Sequence, residues 1–157
     1  MNIIDRDASK LDDLTFNSMF AILQGGMWLL NDIEEYLRPF DMSQGRLSTL
    51  LSILDSTDGR IQPAEIALMT GKSRPTVSKM ISRLVKDGYV RQLAHELDAR
   101  GKRLEMTPKG KSLLESIVPG YDGRLRRMAK SLSSQDKREI IKLLAKIDFL
   151  DSKKNLG

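Results

Sequence analysis

The chain has 157 residues, of which 40% are hydrophobic and 30% charged. That is enough apolar matter for one packed domain, 1–157, and excludes global disorder. With no cysteine, disulfides, thiolate metal sites and thiol redox switching are excluded together. Net charge is +5, but its distribution says more than its size. Residues 1–71 hold 5 Lys/Arg against 11 Asp/Glu, residues 72–111 hold 11 against 4, and residues 112–157 hold 10 against 6. An acidic start followed by a concentrated basic block is the footprint of a phosphate-binding surface. No apolar run has the roughly 20 residues needed to cross a bilayer. The opening Met1-Asn2-Ile3-Ile4-Asp5-Arg6-Asp7 carries acids where a secretory signal places bases. A cytoplasmic protein without a membrane partner is expected.

The first predicted helix covers 11–37. Phe16, Met19, Phe20, Leu23, Met27, Leu30, Ile33 and Leu37 recur at steps of three and four. Ile22, Trp28, Leu29 and Tyr36 widen this face beyond what one neighbouring helix needs. Gly25-Gly26 weakens the helix or admits another backbone, and Pro39 with Asp41 ends it. Ser43 caps a second helix over 44–55, with Leu47, Leu50, Leu51 and Leu54 expected inward. Asp58-Gly59 is a turn. Pro63 suits the first turn of a short third helix running to Thr70, and Gly71 supplies the next turn.

Ser73 caps a fourth helix over 74–87, with Val77, Met80, Ile81, Leu84 and Val85 on one side and a stop at Asp87-Gly88. Residues 89–93 read as a strand and residues 103–106, alternating polar with apolar, as a second, around a polar loop from His95 to Lys102, making a hairpin. Thr107-Pro108 opens a fifth helix, with a kink or break expected at Pro119-Gly120. Ser133 and Asp136 form a capping box for the last helix, which carries Ile140, Ile141, Leu144 and Ile147.

The fold class expected is mostly α with a small β-hairpin wing: a winged helix-turn-helix over 43–107, flanked by helical segments 11–40 and 108–150. At about 100° per residue, the fourth helix turns Lys79, Ser82, Arg83 and Lys86 away from its apolar side, with Thr76 and Ser78 on the flanks. A short helix joined to it by a glycine-containing turn is how such a unit presents one helix to a major groove. There arginine on guanine is the commonest specific pair, and hydroxyls near the helix start fix phosphates. In the hairpin loop, Asp98-Ala99-Arg100-Gly101-Lys102-Arg103 offers a cationic tip for a narrow minor groove, with Asp98 placed to orient the Arg100 guanidinium.

Residues 62–107 carry a family resemblance. Gln62-Pro63-Ala64-Glu65-Ile66-Ala67, Ser73-Arg74-Pro75-Thr76-Val77-Ser78-Lys79, Leu84-Val85-Lys86-Asp87-Gly88-Tyr89-Val90 and Asp98-Ala99-Arg100-Gly101-Lys102-Arg103 resemble the winged helix of the MarR (multiple antibiotic resistance regulator) family. Met106-Thr107-Pro108-Lys109-Gly110 is similar to the family's exit from the wing. The resemblance implies a bacterial transcriptional regulator, a repressor acting as a homodimer on pseudo-palindromic double-stranded DNA. The dimer would be built from the N-terminal helix and the last two helices. It also implies that Ser73, Arg74, Thr76, Ser78, Lys79 and Arg83 sit at recognition-helix positions and Asp98 and Arg100 at the wing pair, with Lys102 and Arg103 beside them. Release by a small aromatic or anionic effector is implied too, with Trp28, Tyr36 and Arg46 as candidate lining residues. Two features depart from the family pattern. Lys72 replaces a small apolar residue, and Pro119-Gly120 falls inside what is normally one long helix.

Enzyme chemistry finds no support. The sole histidine, His95, lies in the wing without a metal-ligand partner, and Asp12-Asp13 and Glu34-Glu35 are adjacent rather than on one helical face. No catalytic residue, metal or cofactor is expected. The alternative function is a winged helix used as a protein-interaction module without its own operator, which would need an apolar or acidic recognition surface.

Overall fold

The structure, a computed structural model, describes residues 13–56, 60–93 and 103–147. Its elements in chain order are α1 (Asp13–Leu37), a 3-10 turn (Arg38–Phe40), α2 (Gln44–Leu54), β1 (Arg60–Ile61), α3 (Pro63–Thr70), α4 (Arg74–Lys86), β2 (Val90–Leu93), β3 (Arg103–Met106), α5 (Pro108–Met128) and α6 (Ser134–Leu144). Two compact units are distinguished, Met1–Pro119 and Gly120–Gly157. None of the described helices is long and apolar enough to cross a membrane.

In the first unit, α2, α3 and α4 pack on one another and on a three-stranded antiparallel sheet of order β1-β3-β2. Its core is Leu47, Leu50, Ile53, Ile61, Ile66, Val77, Ile81, Leu84, Val90 and Leu104, joined by Leu114 and Ile117 of α5. Each is the apolar member of its local period, so burying them fixes how the three helices cross. Ser43 caps α2, its hydroxyl accepting from the Arg46 N–H at 3.3 Å. The first turn of α3 is tied by Gln62, whose N–H donates to Glu65 Oε2 at 2.7 Å. Gly71 then turns the chain into α4 at φ 63°, a left-handed conformation that costs glycine nothing. At Gly45 the α2 backbone lies against Met80 of α4 so closely that a Cβ would collide with its side chain.

Two expectations are corrected, and one strand was not foreseen. Leu54, expected inward, is half exposed at the end of α2, and Ile53 takes the buried position. The strand β1, two residues long, pairs Arg60 and Ile61 with Glu105 and Leu104; it is too short to show alternation. No break separates Pro108–Met128 at Pro119-Gly120, because α5 is continuous with Pro119 inside it. Proline removes one N–H from the helical ladder, here the donor facing the Glu115 carbonyl, and the remaining ladder holds. The boundary between the two compact units nevertheless falls at this step.

The long apolar face of α1 is divided. Ile33 and Leu37 are buried, whereas Phe16, Met19, Phe20, Leu23, Met27 and Leu30 are exposed in the single chain. Gly25 and Gly26 lie within the helix, with open space around both Cα positions. In the second unit, α6 begins with the expected capping box: Ser133 N–H donates to Asp136 Oδ2 at 2.8 Å and Asp136 N–H donates back to Ser133 Oγ at 3.1 Å. Its Ile140, Ile141, Leu143 and Leu144 are exposed.

Candidate nucleic-acid interface

Helix α4 is built to show one face. Ser73 stands at its N-cap in extended conformation, its Oγ accepting from the Thr76 N–H at 3.3 Å and lying 2.8 Å from Thr76 Oγ1. Such a cap satisfies one of the free amides of the first turn. Val77, Ile81 and Leu84 are buried, which fixes the rotation of the helix about its axis. Arg74, Thr76, Ser78, Lys79, Ser82, Arg83 and Lys86 are therefore all on the exposed side. Thr76, Lys79, Arg83 and Lys86 follow one another at steps of three and four, so they form a single row. From Arg74 to Lys86 the helix carries four cations and no acid.

The far end of α4 is clasped by residues from the start of α5. Gly88 takes φ 79°, and the Lys109 ammonium donates to the Asp87 carbonyl at 2.8 Å while lying 5.0 Å from the centre of the Tyr89 ring. A cation at the carbonyl end of a helix is favoured by the helix dipole. Thr107 Oγ1 donates to the Gly88 carbonyl at 2.7 Å and accepts from the Gly110 N–H at 3.1 Å. A Cβ at Gly110 would collide with the Tyr89 carbonyl, so the corner needs glycine there.

Arg83 is engaged by two carboxylates. Its Nε donates to Asp87 Oδ2 at 3.0 Å and its Nη2 to Asp41 Oδ2 at 2.9 Å. Hydrogen bonds to Asp41 first and Asp87 second raise its pKa above the ordinary arginine value, so it stays a cation. Arg46 completes a ring of four charges: Nη1 donates to the same Asp87 oxygen at 3.3 Å, and Nη2 donates to the Asp41 carbonyl. The Arg46 and Asp87 side chains are 13% and 21% exposed, against 48% for Arg83 and 78% for Asp41. Asp41 and Asp87 belong to the site although the sequence showed them only as helix terminators. The i, i+4 spacing of Arg83 and Asp87 was a signal available for one of the two.

Of the wing residues, Asp98, Arg100 and Lys102 lie outside the described residues, as does His95. Arg103 lies in β3 opposite Leu93, its side chain half-buried. Beside it in the hairpin, Arg91 and Glu105 face each other across the strands and form an ion pair.

The three residues considered for a ligand are not brought together. Trp28 is 71% exposed on α1. Tyr36 donates its hydroxyl to the Ile117 carbonyl at 2.8 Å, tying α1 to α5, and its ring lies 5.7 Å from that of Phe40. Arg46 lines a cleft of 310 Å³ with Glu34, Arg38, Asp41 and Met42, to which neither Trp28 nor Tyr36 contributes.

A model described as the MarR family matches residues 40–101, the stretch holding the helix-turn-helix and the first strand of the wing. The chain is 28% identical over 138 residues to the HTH-type transcriptional repressor YetL of Bacillus subtilis, covering 88% of this chain and 80% of that protein. Its fold is similar to that of AbsC, a MarR family transcriptional regulator from Streptomyces coelicolor, with a TM-score of 0.79 at 24% identity over 85% of this chain and 91% of that one. The M. tuberculosis transcriptional regulator MosR, solved in complex with DNA, matches with a TM-score of 0.66 at 28% identity over 80% and 91% of the two chains.

Proposed function

We propose that this chain, a member of the MarR family, represses transcription by binding double-stranded DNA as a homodimer, with α4 as its reading helix. One observation carries the proposal: the exposed row of α4 is cationic and hydroxyl-rich, free of acids, and held in fixed rotation by a buried opposite face. Phosphates attract such a face without regard to sequence, and base edges are then read by the side chains that reach the groove floor. Lys79 and Arg83 stand in mid-row and Lys86 at its end, while Ser73, Arg74, Thr76 and Ser78 crowd the N-terminal turns, where free amides favour a phosphate. Asp98, Arg100, Lys102 and Arg103 supply the wing contact to the minor groove. A protein-interaction module would present an apolar or acidic face instead.

The second copy is held by segments 11–40 and 108–150; among the described residues, Phe16, Phe20, Leu23, Met27 and Leu30 of α1 and Ile140, Ile141, Leu143 and Leu144 of α6 are exposed. Exposed apolar rows of this extent mark association surfaces. Two-fold symmetry then places the two reading helices in successive major grooves, about 34–36 Å apart. A small aromatic or anionic effector releases the DNA by favouring a different spacing of these helices. The chain acts in the cytoplasm, where the DNA is, and performs no catalysis. Selecting bound duplexes from a random pool tests the reading. It predicts enrichment of a two-fold symmetric site with half-sites one helical turn apart; a pool that stays random after repeated selection overturns it.

A further inference from the structure

We propose that the Asp41 carboxylate competes with DNA phosphate for Arg83 and so restrains the affinity of the reading helix; this rests on the DNA-binding role proposed above. Arg83 shares a row with Lys79 and Lys86, three and four residues away, yet those two form no ion pair among the described residues, whereas Arg83 is held by two carboxylates. Carboxylate and phosphate bind a guanidinium through the same parallel N–H edges, so Asp41 and a phosphate cannot occupy the Nη2 edge together.

The two acids divide the work. Asp87 is mostly buried, is also held by Arg46, and grips Nε near the root of the guanidinium. It positions the Arg83 stem. Asp41 is 78% exposed, comes from 42 residues away, and takes only the outer Nη2 of Arg83, its other oxygen lying 3.8 Å from Arg46 Nη2. An exposed ion pair of this kind is weak, so a dense row of phosphates can displace it. Asp41 itself is fixed in place. It stands in the left-handed region at φ 47°, its N–H donating to the Arg38 carbonyl at 3.0 Å and its own carbonyl accepting from Arg46. The backbone therefore sets the carboxylate beside Arg83.

Asparagine and glycine both tolerate this backbone conformation, so Asp41→Asn and Asp41→Gly remove the charge while keeping the backbone of the corner and the bond from Arg46 to the residue 41 carbonyl. With a selected duplex at fixed salt, each is expected to bind roughly two- to five-fold tighter than the unaltered protein, the range an exposed ion pair supports. The decisive comparison repeats Asp41→Asn in an Arg83→Ala background, where the gain should vanish. The same gain in both backgrounds would show a general charge effect and overturn the proposal. Unchanged or weaker binding by both Asp41 variants would overturn it as well. Should the unaltered protein bind no duplex at all, the DNA-binding reading itself fails, an outcome distinct from either.

Discussion

Two helices of the same compact unit treat their side chains in opposite ways. In α4 the apolar side is turned to the core, with Val77, Ile81 and Leu84 buried and Met80 and Val85 partly covered, and the polar side is left to solvent. In α1 only Ile33 and Leu37 reach the core, while Phe16, Phe20, Leu23, Met27 and Leu30 face outward. The contrast separates two uses of an amphipathic pattern. One sets a cationic row at a fixed angle on a rigid base, as a groove-reading helix requires. The other leaves a hydrophobic row exposed among the described residues, as a surface for association does.

Truncating the base of α4 should have the largest effect. Leu50 is fully buried, and Leu50→Ala is expected to cost about 2–5 kcal/mol of folding stability, measured by urea unfolding. A loss below about 1 kcal/mol would mean that α2 is not the packed support described. On α1, Phe20 is half exposed and stacks on Phe16 with ring centres 5.6 Å apart. Phe20→Asp is expected to weaken self-association by about 2 kcal/mol or more, as for a central interface residue. Sedimentation equilibrium would show it, and an unchanged association constant would remove α1 from the interface. Lys79→Ala should cost about 1–3 kcal/mol of DNA affinity with folding stability altered by no more than about 0.5 kcal/mol. Loss of both together would place Lys79 in the scaffold instead.

The smallest effect concerns the cap of α6. Hydrogen bonding from Ser133, through its side chain first and its backbone N–H second, holds the Asp136 carboxyl below its ordinary value of 3.8. A depressed pKa stabilises the folded state above the unfolded value, and that contribution is lost as pH falls through the folded one. Helicity measured by circular dichroism should therefore decline below about pH 4. Asp136→Asn should remove the part of that decline due to the cap, and an identical acid profile would show that it plays no part.

How much of this was legible in the sequence follows the range of each interaction. The α4 cap at Ser73, the buried Val77, Ile81 and Leu84, and the outward Lys79 and Lys86 are consequences of local spacing. The capping box at Ser133 and Asp136 is equally local. The Arg83–Asp41 pair was not legible, because it joins residues 42 positions apart through a crossing of helices that periodicity does not encode. Nor was the pairing of β1 with β3, since two residues have no pattern of their own. At Pro119 a local rule was overridden: one missing N–H does not stop a helix whose other turns are satisfied. The apolar row of α1 was plain, but periodicity marks a face without saying which molecule covers it.

The central claim is that α4 grips DNA while the apolar rows join two copies. Its most direct test is the stoichiometry and salt dependence of the complex with a duplex from the selected pool. Two chains per duplex, with log Kd rising linearly with log salt at a slope of about 0.9 per phosphate contact, is the predicted result. One chain per duplex, or an affinity indifferent to salt, would contradict it.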